Sequence, residues 1–181
     1  MISLRSKITR KILNYFFINM TAKPYVNKLA VILDIDLRNL YRKLKELEKE
    51  GILKSTFEGR ERYFSLNQSY PYLKEYRTIF LKTFGLERTL KEKLSHIKGV
   101  GSVYIFGSYA KNTMNVSSDI DLLVVGEHSI IELQREINSI QKAVNREINV
   151  INIGIQEFNQ KIKKKDRFLS NILNNTHIKV I

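Results

Sequence analysis

The sequence has no cysteine among its 181 residues, which excludes a disulfide framework and a metal site built from thiolates. No apolar run approaches the roughly 20 residues that a membrane-spanning helix needs, so none is expected. A G-x-x-x-x-G-K-[ST] loop and a G-x-G-x-x-G turn are also absent, which leaves P-loop and Rossmann-type nucleotide sites without support. We therefore expect a cytoplasmic protein whose chemistry depends on other residues.

Positive charge is in excess along the whole chain. The formal net charge is +13, and residues 1–67 carry 14 Lys/Arg against 7 Asp/Glu, while residues 68–181 carry 17 against 11. Two basic halves favour a polyanionic partner, such as nucleic acid or a nucleotide. A composition that is merely rich in lysine is the alternative interpretation.

The first part of the chain, residues 1–68, shows the pattern of three helices followed by a β-hairpin. Leucines recur at spacings of three and four in "DLRNLYRKLKELEKEGIL", where Asp36 is a predicted N-cap and Gly51 a predicted stop. Alternating apolar residues around Glu58-Gly59 then predict the hairpin. This order of elements is that of a winged helix-turn-helix domain.

The phrase "LYRKLKELEKEGILKS…GRERYFSLN" resembles the winged-helix DNA-binding domains of bacterial and archaeal transcription regulators. The resemblance implies that the third helix reads double-stranded DNA and that the hairpin contacts phosphates. The predicted DNA-binding residues are Arg38, Asn39, Tyr41, Arg42, Lys45, Arg60 and Arg62. Two alternatives stay open: these side chains form the solvated side of an amphipathic helix, or the domain mediates dimerisation or protein docking. A homodimer is expected only by analogy.

The remaining chain divides into a helical linker, residues 69–98, and a second domain, residues 99–181. The second domain alternates between strand and helix patterns, and residues 155–173 are predicted to be helical. We therefore expect an α/β (α+β) protein, with a small mixed β-sheet flanked by helices in its C-terminal domain. The basic run Lys161–Arg167 is either a solvated helix face or the lining of a nucleic-acid groove.

Two aspartates interrupt the apolar strand pattern in "FGSYAKNTMNVSSDIDLLVV". Residues two apart on a strand project to the same side, so Asp119 and Asp121 should point together while Ile120 faces the core. Two neighbouring carboxylates repel, and a divalent cation such as Mg²⁺ removes that cost. Upstream, Gly107 allows close approach of a ligand, and Ser108 opens a short helix that is suited to phosphate oxygens. Lys111 is a candidate cation for a triphosphate.

The Gly-Ser pair, the ten-residue gap and the Asp-x-Asp strand resemble the DNA polymerase β-type nucleotidyltransferase superfamily, and most of all its minimal members. The resemblance implies transfer of a nucleoside monophosphate from an NTP to a hydroxyl group, with two Mg²⁺ ions. Carried over, Gly107 and Ser108 bind the triphosphate, and Asp119 and Asp121 are catalytic and bind metal. Minimal members are often paired with a helical protein partner.

One position departs from the superfamily pattern. Active members usually place a third carboxylate on a neighbouring strand, whereas Asn149 stands at the corresponding place in "REINVINI". An amide oxygen can bind a metal but cannot serve as a base. Glu147, which shares the strand parity of Asn149, is the candidate catalytic replacement, with Arg146 as a phosphate or template contact. The alternative is that Glu147 and Arg146 are surface charges.

The preferred function is Mg²⁺-dependent nucleotidyl transfer by an enzyme that a winged helix directs to DNA or to a protein partner. The first alternative is a DNA-binding transcriptional regulator with a catalytically reduced nucleotidyltransferase fold. Asn149, in place of the third carboxylate, supports this alternative. The second alternative is a toxin–antitoxin component that modifies or sequesters a helical partner.

Overall fold

The structure is a computed structural model that describes residues 4–114 and 118–181. The chain divides into two compact units, Met1–Gly85 and Leu86–Ile181. The first unit contains α1 (Lys7–Ile18), α2 (Val26–Leu33), α3 (Leu37–Lys49), β1 (Leu53–Glu58), β2 (Glu61–Leu66) and α4 (Leu73–Thr83).

The signals that predicted α3 and the hairpin are confirmed. The Asp36 side chain caps α3 by accepting a hydrogen bond from the Asn39 backbone N–H at 3.0 Å. The helix ends before Gly51, whose φ of +84° suits a residue without a side chain. Strands β1 and β2 then pair antiparallel through to Glu58 and Glu61, which leaves a two-residue turn.

The core of the first unit comes from the apolar faces that the helical spacing predicted. In α1 the side chains of Ile12, Leu13, Phe16 and Phe17 are fully buried. Helix α3 buries Leu40, Leu44 and Leu47, and the hairpin adds Phe64. Apolar burial of this kind supplies most of the stabilisation of a small domain.

The second unit is a mixed sheet with helices. Its elements are α5 (Leu86–Leu94), β3 (Val100–Phe106), α6 (Gly107–Ala110), β4 (Ile120–Gly126), α7 (Ile130–Val144), β5 (Ile148–Ile153), α8 (Ile155–Lys163), α9 (Arg167–Asn174) and β6 (Ile178–Lys179). The strand order is β5-β4-β3-β6, where β4 is parallel to β5 and antiparallel to β3.

Both sides of the central strand β4 are buried. Ile120, Leu122 and Val124 are fully buried on one side, as the strand pattern predicted. On the other side Leu123 and Val125 pack in a cluster with side chains of β5 and α9. Asp121 projects to that second side, at the end of β4 where the cluster stops.

The helical structure predicted for residues 155–173 is confirmed, and the structure divides it into the two helices α8 and α9. The chain turns at Lys165, whose φ is +51°. Asp166 then caps α9 by accepting a hydrogen bond from the Leu169 backbone N–H at 3.0 Å. A local cap therefore restarts the helix in a new direction.

The predicted linker, residues 69–98, comprises α4 and α5, and these helices fall in different units. The three-part division at residues 68 and 98 stays a prediction. Within the part of the chain that the structure describes, none of the helices is long and apolar enough to cross a membrane.

Candidate functional site

The turn after β3 lies directly against the second aspartate. Phe106, the last residue of β3, is the register partner of Asp121 on β4. Gly107 follows with a φ of +69°, and a Cβ built on it would lie 2.2 Å from Asp121 Oδ2. Only glycine leaves room for the carboxylate there, and it also adopts this backbone conformation most readily. The predicted close approach at Gly107 is therefore made by a side chain of the protein itself.

Asp119 and Asp121 lie at the same end of the sheet, and both are partly buried. Burial raises the pKa of Asp121, and the negative charge of Asp119 raises it further, while a hydrogen bond from Asn149 opposes the rise. Such a site disfavours two negative charges unless a cation accompanies them.

Asn149 completes a group of three polar side chains. It is the register partner of Asp121 on the parallel strand β5. Its Nδ2 donates a hydrogen bond to Asp119 Oδ2 at 3.2 Å. The Asn149 amide thus donates a hydrogen bond to Asp119 and also opposes the rise in the pKa of Asp121. The sequence pattern predicted the position of Asn149, but not this hydrogen bond.

Ser108 and Lys111 belong to the short helix α6 and its end. Ser108 is partly buried in the first turn, and its carbonyl accepts a hydrogen bond from Thr113 N at 2.9 Å. The Lys111 side chain is exposed just after the helix. Residues 115–117, within the gap between Ser108 and Asp119, lie outside the described residues. The triphosphate contacts of Gly107, Ser108 and Lys111 stay predictions.

Arg146 and Glu147 both form hydrogen bonds with the chain at the start of β4. Arg146 Nη1 donates to the Ser118 carbonyl oxygen at 2.7 Å. The Glu147 carbonyl oxygen accepts from Ile120 N at 3.0 Å, while its side chain is exposed. In the described ranges no three His, Asp or Glu side chains are grouped closely enough to hold a metal ion. The catalytic role of Glu147 stays a prediction, as does the phosphate or template contact of Arg146, whose side chain instead hydrogen-bonds to the residue before Asp119.

In the first unit, the predicted DNA-binding residues fall into two sets. Arg38, Asn39, Tyr41 and Arg42 are exposed on α3, and Arg60 is exposed in the hairpin turn. A groove of about 380 Å³ between α3 and the hairpin is lined by Tyr25, Val26, Asn27, Leu37, Arg38, Tyr41, Arg60, Glu61 and Arg62.

Lys45 and Arg62 form the second set, because both are engaged by Glu48. Arg62 Nη2 lies 3.0 Å from Glu48 Oε2, and Lys45 Nζ lies 2.5 Å from the same oxygen. Arg62 also donates to Ser55 Oγ at 2.9 Å and to the Tyr41 hydroxyl at 3.2 Å. Although burial acts against ionisation, hydrogen bonds from Lys45, Ser55 and Arg62 lower the pKa of Glu48. Arg62 therefore joins α3 to the hairpin.

Comparison with known proteins gives one family match. The model of the family described as "Nucleotidyltransferase domain" matches residues 87–178, which is half of the chain. No curated protein is similar enough to match.

Among solved structures, a toxin–antitoxin complex with AMP-PNP is 17% identical, with a TM-score of 0.39, over 52% of this chain and 72% of that chain. A tri-AMPylated HEPN toxin in complex with MNT antitoxin from Shewanella oneidensis is 14% identical, with a TM-score of 0.32, over 53% and 72%. A candidate nucleotidyltransferase from Sulfolobus solfataricus is 23% identical, with a TM-score of 0.28, over 41% and 68%. At such TM-scores these similarities support no conclusion about activity or partners.

Proposed function

The chain belongs to the nucleotidyltransferase domain family, and on that premise we propose that it transfers a nucleoside monophosphate from an NTP to an acceptor hydroxyl group. The observation that supports the proposal best is the placement of the Asp121 carboxylate against Gly107, beside Asp119 and Asn149. This arrangement joins a glycine turn to two carboxylates at one end of a sheet, and paired carboxylates are the protein ligands that Mg²⁺ uses together with substrate phosphates.

The donor set fits Mg²⁺. Two carboxylates and an amide offer only hard oxygen ligands, which Mg²⁺ prefers over nitrogen and sulfur. The raised pKa of Asp121 agrees with the fit, because burial and the Asp119 charge disfavour the ionised carboxylate, and a bound cation would favour it. When bound, the metal would supply neutralisation of phosphate charge. The expected number of two ions stays a prediction.

In the proposed reaction, the acceptor oxygen forms a bond to the α-phosphorus while the bond between that phosphorus and the α–β bridging oxygen breaks. Pyrophosphate leaves with the electron pair, and the hydroxyl proton must go to a base or to water. Asn149 cannot take this proton. Glu147 is exposed before β5 and is the candidate base that the sequence offers.

A second proposed activity belongs to the first unit, which we interpret as a winged helix that binds double-stranded DNA. Exposed Arg38 and Arg42 on α3, with Arg60 in the hairpin turn, support this activity. Substituting Arg38 and Arg42 with alanine should weaken duplex binding and reduce its salt dependence. Unchanged affinity and salt dependence would remove DNA binding from the proposal. The DNA-binding regulator and the toxin–antitoxin component remain the alternatives.

The first experiment is calorimetric titration of the full chain with a non-hydrolysable ATP analogue, with and without Mg²⁺. We expect Mg²⁺-dependent binding that Asp119→Asn and Asp121→Asn abolish. Asn149→Ala should weaken this binding, and Asn152→Ala is its matched control, since Asn152 lies on the same strand but pairs with Val124 instead. No binding at millimolar nucleotide would contradict the proposal and favour the regulator.

A further inference from the structure

The segment from Ile155 to Phe168 runs back along the sheet toward the two aspartates. It begins at the far end, where the Ile155 backbone N–H donates to Glu127 Oε1 at 3.1 Å, just after β4 ends. It returns to the near end, where the Phe168 ring lies edge-on to Phe106 with centroids 6.4 Å apart. Phe106 is the register partner of Asp121. Phe168 is therefore one side chain removed from the candidate active site.

This returning segment carries a concentration of positive charge. Residues 161–167, read KIKKKDR, contain five cations and one acid. Two members are already engaged, because Lys161 pairs with Glu157 at 2.8 Å and Asp166 caps α9. The other four cations are exposed and form no ion pair with any described residue: Lys163, Lys164, Lys165 and Arg167.

An exposed aromatic ring completes the surface. Phe168 is 42% exposed, although Phe106 supports one edge of its ring. We call the four exposed cations and Phe168 the basic–aromatic strip. Four like charges within five residues repel one another unless an anion approaches, and an exposed ring face suits a nucleobase. Cations at a helix end would explain part of the charge, but not the adjacent exposed ring.

We propose that the basic–aromatic strip binds the acceptor of the nucleotidyl group, and that this acceptor is a single-stranded nucleic acid. The cations contact successive phosphates, and an unpaired base stacks on Phe168. The strand end then lies beside Asp119 and Asp121. A single strand is favoured over a duplex because its bases are free to stack. The inference rests on the proposed function, since it names the acceptor for that same site.

The test is fluorescence anisotropy of the full chain with a labelled 12-nucleotide single strand, in the presence of excess unlabelled duplex to occupy the first unit. One variant changes Lys163, Lys164 and Lys165 to Gln. Its matched control also changes three lysines of the same unit to Gln, so the net charge changes equally. These exposed residues are Lys91, Lys98 and Lys142. A third variant, Phe168→Leu, keeps an apolar side chain against Phe106.

We expect the strip variant to bind the single strand at least about tenfold more weakly and to lower the salt slope by about 2, which corresponds to three lost phosphate contacts. Phe168→Leu should weaken binding roughly tenfold, as loss of one stacked base predicts. The control should bind as the parent does. Equal weakening in strip and control variants would overturn the inference, as would unchanged binding in both.

A parallel titration with Mg²⁺ and the ATP analogue separates this inference from the proposed function. The strip variant should retain parental nucleotide affinity. A matching loss of nucleotide affinity would assign the cations to the triphosphate and overturn the inference. If the parent binds the single strand through the strip but binds no nucleotide, the result contradicts the proposed nucleotidyl transfer and supports the strip as a nucleic-acid-binding surface. Competition by an acidic polypeptide, but not by a single strand, would replace the nucleic acid with a protein acceptor.

Discussion

Asn149 Nδ2 donates a hydrogen bond to Asp119 Oδ2 over 3.2 Å, across the gap between two parallel strands. This contact places an uncharged amide where the superfamily pattern leads us to expect a third acid. The amide reduces repulsion between the carboxylates when no cation is present, and it offers an oxygen ligand but no base. Under the proposed function, this site would hold the metal-bound nucleotide, and the rate of transfer would depend on how the acceptor loses its proton.

Replacing Asn149 with aspartate should strengthen metal binding. A third carboxylate adds charge and an oxygen ligand, so we expect Mg²⁺ affinity to rise about tenfold, or about 1.4 kcal/mol. The metal-free variant should melt at a lower temperature than the parent, because the hydrogen bond becomes a repulsion. Calorimetry and thermal melts with and without Mg²⁺ measure both effects. Asn152→Asp adds the same charge three residues along β5, and an equal gain in that variant would contradict the role of Asn149.

The stability of the metal-free protein should depend on the ionisation of Asp121. Because burial and then Asp119 raise its pKa, the folded protein binds a proton here more readily than the unfolded chain does. The contribution of Asp121 to stability is thus greatest below its ordinary pKa and is lost as the pH rises through the raised pKa. Asp121→Asn should therefore raise Tm at neutral pH and leave it nearly unchanged in acid.

Thermal melts from acid to neutral pH test this expectation, with Glu147→Gln as a control that removes an exposed carboxylate nearby. Mg²⁺ should raise the Tm of the parent at neutral pH, but not that of Asp121→Asn. Parallel pH profiles for parent and Asp121→Asn would show that Asp121 does not couple to stability.

The space at Gly107 should be essential to the site. A methyl group there would lie 2.2 Å from Asp121 Oδ2, and the φ of +69° adds backbone strain. Gly59→Ala is the matched control, because Gly59 has a φ of +60° with nothing within 4 Å of its Cβ position. We expect Gly59→Ala to cost about 1–2 kcal/mol of unfolding free energy. Gly107→Ala should cost about 1–3 kcal/mol more and abolish Mg²⁺-nucleotide binding. If both variants lose the same unfolding free energy and Gly107→Ala still binds the nucleotide, Asp121 can move away from the added methyl group.

Local patterns predicted the elements well, because the cause of each lies within a few residues. Asp36 caps α3 through a residue three positions away, and alternation along β4 separates buried Ile120 from Asp121. The helical pattern over residues 155–173 did not specify the break at Lys165, although Asp166 is a cap of the same kind.

Long-range contacts could not be read from these patterns. The Arg62 partners Ser55, Glu48 and Tyr41 lie 7, 14 and 21 residues away. Their meeting depends on how the hairpin folds against α3, which strand alternation does not specify. The resemblance to winged-helix domains assigned Arg62 to phosphate contact, because it lies on the hairpin. Asn149 was placed correctly by its strand position, yet its partner atom depends on the register between β4 and β5.

Arg62 and Arg60 should therefore differ sharply when each is replaced with alanine. Arg62→Ala leaves partly buried Glu48 with fewer donors, and we expect a loss of about 1–3 kcal/mol of unfolding free energy. Duplex affinity should fall with little change in salt slope, because a positioning contact is lost. Arg60 is exposed in the turn, so Arg60→Ala should leave stability unchanged and reduce the salt slope by about 1. Denaturant unfolding and salt-dependent anisotropy measure the two effects. If Arg62→Ala reduced the salt slope and left stability unchanged, Arg62 would instead be a direct phosphate contact.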